Sequence, residues 1–316
     1  MGAEAIGNSD KLTYLLNGYI TKDGTLRKRP GLTRVAHTDE ADADSCSLIY
    51  KWENNGTTYT KLVSAIGATI YSRNLTGTVS IAKIATSYTS TMRRNYATRA
   101  GVLDSGTVKS SLFITSNKSA PIYTFPIASP SFSAISDADC PAGTSGAPLE
   151  SSLGFLDGYL LAAAHGAGSS ARFSWSNIPN AATTWEAVSS AEAVGSPDGL
   201  LRMLVIDRQI WLFGQQSIEI WEDDGTTPFS RVAGGFLDRG ISDPNAVTVC
   251  NGLVYIIDNQ FNFGKIENGV FKRIQLPYWI ASNLWTSLAK ERLLTSIVID
   301  QREMVVVSLF TVGGKG

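Results

Sequence analysis

The chain has 316 residues, room for one large all-β body or two domains, and its 43 % apolar content with mean hydropathy near zero excludes a disordered protein. Its 27 Lys and Arg balance 28 Asp and Glu, so no global field draws it to nucleic acid or to an anionic membrane. Cys46, Cys140 and Cys250 are widely spaced without a CxxC, which argues against a zinc ribbon or a disulfide framework and for small core residues of a reducing compartment.

Residues 1–45 are poor in strand signals and read as an irregular N-terminal arm. No basic region followed by an apolar run opens the chain, and Ile6 stands where a myristoylation signal needs Ser or Thr. The longest apolar run, 159–164, falls far short of the roughly 20 residues of a membrane span, so no membrane insertion by this chain is expected. Residues 22–25, KDGT, form a turn signal. The cluster Arg27, Lys28, Arg29 then precedes the rigid turn Pro30, Gly31 and Leu32, which presents it at a fixed angle. It reads either as a solvated surface or as an anchor onto an acidic partner or DNA phosphates. The acidic run 39–44 lacks the glycine and distal Glu of a calcium loop.

From Cys46 onward the chain becomes a series of short strands broken by tight turns. Strands are expected at 47–52 and 57–65 around Asn55-Gly56, since Asn-Gly supplies the positive φ angles of a two-residue hairpin. Two more follow at 69–73 and 79–84. Residues 86–108 are less legible, with Arg93, Arg94 and Arg99 among tyrosines, and suggest an insertion. Paired strands then recur around Asn117, Asp157, Asp207, Asn251 and Asp300. Within this series 173–224 reads as one complete sheet, and residues 217–222 alternate polar and apolar, so one face should be wet.

The turns from Asn55 to Asp300 are spaced by 62, 40, 50, 44 and 49 residues. Units of 40 to 50 residues, each a sheet of about four antiparallel strands, match propeller blades better than sandwich strands every 8 to 12 residues. Radial packing lets each sheet bury its faces against two neighbours. The expectation is therefore an all-β protein: a β-propeller of four-stranded antiparallel blades over residues 46–316, preceded by the arm. A pair of β-sandwiches is the alternative arrangement.

Chemistry is hard to find. The two histidines, His37 and His165, lie in no metal or protease motif, and no catalytic, cofactor-binding or metal site is assigned. Propellers that cleave sugars use paired carboxylates, which makes Glu186, Glu192, Glu219, Glu222 and Asp238 the residues to weigh; a solvated strand face accounts for Glu219 and Glu222 without catalysis. Asp223-Asp224-Gly225 reads as a hairpin turn.

Several segments nevertheless resemble one family. They are KRPGL (28–32), FLDGYLLAA (155–163), FSWSNIPNAATTW (173–185), GSPDGLL (195–201), RQIWLFGQQSIEIW (208–221), PFSRVAGGFLDRGISDPNAV (228–247) and NGLVYIID (251–258). In order and spacing the chain is similar to the packaged-DNA stabilisation proteins, the tail hub or nozzle proteins, of short-tailed bacteriophages. The resemblance implies a non-enzymatic virion protein of the phage tail, made in the bacterial host cytoplasm and assembled with itself as a six-copy ring beneath the portal and adaptor proteins. Such a ring closes or extends the DNA channel after packaging, so DNA passes its lumen without sequence-specific contact, and it offers attachment to fibre, spike or plug proteins. It also implies more chain beyond Gly316. On this reading Arg27 to Leu32 dock the ring, and the loop bearing Asn177, Pro179, Trp185, Pro197 and Asp198 is a contact surface. A carbohydrate-binding or carbohydrate-cleaving propeller is the alternative function.

Overall fold

The computed structural model describes residues 18–20, 26–28, 46–53, 60–66, 69–74, 81–85, 97–104, 106–114, 123–126, 133–141, 152–163, 171–196, 198–225, 228–276, 281–282, 290–299 and 302–311. Five sheets of four antiparallel strands follow one another along the chain, each in simple sequential order. The first comprises β3 (Cys46–Glu53), β4 (Thr60–Ile66), β5 (Thr69–Asn74) and β6 (Ile81–Ala85); the second β7 (Ala97–Asp104), β8 (Thr107–Ile114), β9 (Tyr123–Pro126) and β10 (Ser133–Ala134). The third holds β11 (Leu153–Leu156), β12 (Tyr159–Ala163), β13 (Arg172–Ser176) and β14 (Trp185–Glu192). The fourth holds β15 (Leu200–Ile206), β16 (Gln209–Gly214), β17 (Ile218–Glu222) and β18 (Ser230–Leu237), and the fifth β19 (Val247–Cys250), β20 (Leu253–Ile257), β21 (Phe263–Glu267) and β22 (Val270–Arg273). Two ribbons flank them: β1 (Gly18–Ile20) with β2 (Leu26–Lys28), and β23 (Lys290–Ile299) with β24 (Arg302–Thr311).

First strands of successive sheets adjoin, β3 with β7, β7 with β11, β11 with β15, and β19 with β23. The sheets are therefore the blades of a β-propeller, with the first strand of each innermost. Burial follows this geometry. In β12, Leu160 and Ala162 pack toward the second blade with Phe113 and Trp185, whereas Leu161 and Ala163 pack toward the fourth with Met203 and Leu212. In β16, Ile210 and Leu212 face the third blade, and Phe213 with the partly buried Trp211 faces the fifth. Consecutive residues are buried because a blade has neighbours on both sides.

That sandwiching corrects the expected wet face of residues 217–222. Ser217, Ile218, Glu219 and Ile220 are all buried, Glu219 with no exposed surface. Polar spacing at period two marked one face of a strand, but that face meets the third blade instead of water.

The turns obey their sequences. Asp157-Gly158, Asp207-Arg208, Asn251-Gly252 and Asn268-Gly269 all have positive φ at both positions, which closes two-residue hairpins matched to strand twist. The Asp207-Arg208 loop is one residue shorter than the run of three polar residues suggests, because Ile206 pairs directly with Gln209. Two boundaries differ from expectation. Residues 173–224 straddle two blades, supplying β13 and β14 of the third and β15 to β17 of the fourth. Residues 97–108, expected within an insertion, instead supply the inner strand β7 and the start of β8. Asn117 therefore falls after β8, between the second and third strands of its blade, so its hairpin is not equivalent to the others. This phase slip produced the uneven 62- and 40-residue spacings; the inner strands themselves start at 46, 97, 153, 200, 247 and 290. Cys140 and Cys250 are buried, as core residues. Asn55, His37, His165 and the acidic run 39–44 lie outside the described residues.

Candidate assembly surfaces

Because strands alternate in direction, each blade sends its first and third turns to one end of the propeller and its second turn, with the connection to the next blade, to the other. Both ends are tied together across blade boundaries.

At the first end, residues 177–184 connect β13 to β14. The loop is held compact by Asn177 N–H donating to the Thr184 carbonyl at 2.8 Å and Thr184 N–H donating to the Ala181 carbonyl at 2.9 Å, with Asn180 in the left-handed region. It is then fixed to two blades. Asn180 N–H donates to the Gly158 carbonyl at 2.8 Å within its own blade, and Ala181 forms a β-bridge with Val102 of the second. Trp185 N–H donates to Asp137 Oδ2 of the second blade at 3.2 Å. The close approach is demanding: a Cβ on Gly101 would lie 2.7 Å from Asn180 Oδ1, and one on Gly158 would lie 2.7 Å from Pro179 Cβ. Arg208 and Asp157 extend the tie to the fourth blade through a 2.8 Å ion pair between neighbouring hairpin tips.

The residues read from the sequence as a contact loop therefore have different fates. Trp185 is 3 % exposed and packs with Phe113, Leu160 and Ala182 between blades, so it is core. Asn177 donates through its amide to Glu186 Oε1 at 2.5 Å. Pro179 is exposed, and so is its neighbour Ile178 at 55 %. Val108, 51 % exposed, belongs to the same corner, for a Cβ on Gly101 would touch both it and Asn180. Pro197 lies outside the described residues. Asp198 is occupied at the other end of the propeller: Oδ2 accepts from the backbone of Gln216 at 2.6 Å and Ser217 at 3.1 Å, and Oδ1 from the Ser217 hydroxyl at 2.8 Å. It fastens the link between the third and fourth blades to the turn between β16 and β17.

The next link repeats the device. Ile241 N–H donates to the Gly214 carbonyl at 3.0 Å, and Gly240 passes so near the Gln215 backbone that a Cβ would lie 2.2 Å away. Arg239 then pairs with Asp258, which is wholly buried and also accepts from the backbone of Gln260 at 2.9 Å and Asn262 at 2.7 Å. The Arg239 guanidinium lies 4.6 Å from the Phe271 ring centre. Onto the last ribbon, Arg292 pairs with Asp243 at 3.0 Å and sits over Phe261. At the hairpin end, Glu303 accepts from Asn251 N–H at 2.7 Å and from the Ser296 hydroxyl at 2.5 Å. Those two donors hold the Glu303 carboxyl below the usual carboxylate range, the Ser296 bond contributing most.

The carboxylates weighed for sugar chemistry are dispersed into such roles. Glu186 accepts from Asn177, and Glu192 pairs with Arg172 at 3.2 Å on the surface. Glu219 uses one oxygen for Gly195 N–H at 2.5 Å and the other for Trp221 Nε1 at 3.1 Å. Glu222 is half-buried at the end of β17 and Asp238 exposed beyond β18. A cavity of about 450 Å³ opens beside Gly195, lined by Arg231, Val232, Gly234 and Phe236. Among the described residues its lining holds no carboxylate, and the neighbouring Glu219 has both oxygens engaged. Gly225 N–H donating to Asp223 Oδ1 at 2.9 Å makes the Asp223-Asp224-Gly225 stretch a turn.

In the arm, β1 and β2 pair with Tyr19 opposite Arg27 and Gly18 opposite Lys28. Arg27 is exposed. Arg29, Pro30, Gly31 and Leu32 lie outside the described residues.

Residues 12–265 match the family described as bacteriophage P22 Gp10, β-propeller. Among solved structures, the chain is similar to PorZ, a bacterial surface component of the type-IX secretion system of Porphyromonas gingivalis, at 11 % identity over 73 % of this chain and 28 % of PorZ, with a TM-score of 0.39. It is also similar to a putative 6-phosphogluconolactonase from Bacteroides uniformis at 12 % identity over 70 % of this chain and 68 % of the other, with a TM-score of 0.42. This chain thus spans little more than a quarter of PorZ. No curated protein matches.

Proposed function

Because this chain belongs to the bacteriophage P22 Gp10 β-propeller family, and so is a phage structural protein that assembles with other virion components, we propose that it is a tail hub or nozzle subunit. Six copies form a ring below the portal and adaptor, close or extend the DNA channel, retain the packaged genome and carry fibres, spikes or a plug. It acts by shape and not by catalysis.

The observation that carries this reading is the family match, which spans 12–265 and so takes in the arm cluster and the five four-stranded blades up to β21. The structure supports it mechanically. A ring that holds back packaged DNA needs subunits that do not splay, and each described blade boundary from the second blade to the last ribbon is packed and hydrogen-bonded. A ring also repeats every contact, so a modest interface counts several times. The exposed Arg27 of the arm, with its basic neighbours Lys28 and Arg29, is the proposed dock onto the adjoining ring, and Ile178, Pro179 and Val108 form a second contact corner.

Arg27→Ala combined with Arg29→Ala tests the dock. The purified variant should fold normally yet fail to join filled heads, giving particles that lose DNA. Particles that keep their DNA as well as the unsubstituted protein does would refute the docking role.

A further inference from the structure

The outer strand of the fourth blade is interrupted. Between β17 and β18, Glu219 pairs with Phe236 and Trp221 with Arg231, so the single residue Ile220 stands opposite four, Val232 to Gly235. The sequence VAGG accounts for the excess. Gly234 has a φ of 74°, a positive value such as the third place of a type II turn requires, and Gly235 closes back so tightly that a Cβ on it would lie 3.0 Å from the Val232 carbonyl oxygen. The four residues therefore leave the ladder as a turn. Breaking an outer strand guards its edge against unwanted pairing, which accounts for the bulge but not for the groups gathered around it.

Those groups line the cavity of about 450 Å³ beside Gly195, a size within the range of about 300–1,000 Å³ usual for binding pockets. Gly195 belongs to the link from the third blade, and a Cβ on it would meet the Phe236 ring at 2.8 Å, so the lining is drawn from two blades. Its chemistry is specific. Arg231 is exposed, and among the described residues it pairs with no carboxylate. Phe236 is left 39 % exposed, and Val232 is partly buried. The neighbouring carboxylate, Glu219, is taken up by Gly195 N–H and Trp221 Nε1 and does not neutralise Arg231. An exposed aromatic ring and an arginine at one hollow are the residue types that carry binding energy between proteins.

We propose that this cavity seats an acidic segment of another virion protein, with a carboxylate on Arg231 and an adjoining apolar side chain against Phe236 and Val232. The proposal rests on the tail-hub reading and deepens it by naming the chemistry of an attached protein. Charge complementarity selects the occupant: a carboxylate accepts two parallel N–H bonds from a guanidinium, whereas a basic segment meets an uncompensated cation. Position on the outermost strand of a blade leaves the mouth open to a partner's chain. The turn of Val232 to Gly235 makes the room, and its glycines let a partner's backbone come close.

The probe is the peptide acetyl-Leu-Asp-Leu-amide, titrated into the isotope-labelled full chain. The amide signals of Gly195, Gly234, Gly235 and Phe236 should shift and saturate, and the same peptide with Asn for Asp should bind about tenfold more weakly. Arg231→Glu, a change at an exposed position, should reverse the preference in favour of acetyl-Leu-Lys-Leu-amide, which a merely structural arginine would not do. Equal shifts with the Asp and Asn peptides, or none, overturn the proposal. Sodium acetate that saturates the same signals as tightly as the peptide marks a site for free carboxylates and overturns the docking. Self-association of the chain that Arg231→Glu abolishes marks a second copy as the occupant and overturns it too. In assembled particles, Arg231→Glu should lower the amount of one other virion protein while this chain stays in the tail. Particles with their full protein complement overturn the docking and leave the hub reading standing. Absence of the unsubstituted chain from the tail overturns the hub reading itself, whatever the peptide does.

Discussion

Asp258 is the sharpest point at which to perturb the body of the propeller. It has no exposed surface and gathers the Arg239 side chain, two backbone N–H groups and the Asn262 amide onto one carboxylate, joining the link after the fourth blade to the fifth. Asp258→Ala leaves the Gln260 and Asn262 amides without their acceptor, at about 1 kcal/mol each. Arg239 loses its partner but is about a third exposed and rehydrates in part, which adds about 1–2 kcal/mol. The total, about 3–4 kcal/mol, is a large part of the roughly 5–15 kcal/mol that holds a domain together. Asp258→Asn keeps an acceptor for the two amides and should cost about half as much. Urea unfolding followed by tryptophan fluorescence measures the loss, and amide exchange at Gln260 and Asn262 locates it. Asp258→Ala and Arg239→Ala should be coupled by at least about 1 kcal/mol in a double-mutant cycle, as residues sharing one network are. A loss below about 1 kcal/mol for Asp258→Ala, or additive single substitutions, would refute the latch.

Three further outcomes follow from the same geometry. Asp198→Ala should speed amide exchange at Ser217 and Gln216 by about tenfold, the effect of losing about 1.4 kcal/mol locally, while Asp223→Ala in an exposed turn leaves both unchanged. Gly240→Ala, whose Cβ would strike the Gln215 backbone, should destabilise by about 2 kcal/mol or more in thermal melts, whereas Gly252→Ala meets no atom within 4 Å and is charged only for its positive φ, about 1 kcal/mol. Glu303 should make the last ribbon acid-sensitive. Its folded carboxyl is held below the ordinary range, so its contribution is fully present above that range and is lost as pH falls through the folded value. Protection of the Asn251 amide, corrected for the intrinsic pH dependence of exchange, should therefore fall on acidification in the native protein more steeply than in Glu303→Gln; parallel profiles would remove Glu303 from that role.

Much of this was legible in the residues. Positive-φ pairs such as Asn251-Gly252 announce hairpins because few residues tolerate that backbone, and their recurrence every 40 to 50 residues implies units that bury both faces only by stacking. Phase was not legible. Asn117 looks like the other turn residues, but hairpins between first and second strands and between second and third strands have the same local chemistry, so the sequence does not separate the two and β7 hides inside an apparent insertion.

Burial of polar residues was the other blind spot. Glu219 alternates with Ile218 and Ile220 as a surface residue does, and only the third blade's Gly195, packed over it, turns it into a buried acceptor. Trp185 and Asp198 look available for partners because their own partners, the second blade and the turn after β16, lie 18 to 85 residues away in sequence. The sequence by itself determined most of the hairpins and their turns, the approximate repeat and the family, since those depend on backbone preferences and period, which are local. The tertiary structure decided which polar side chains face a neighbouring blade and which face solvent, because that depends on what the radial packing brings against each face.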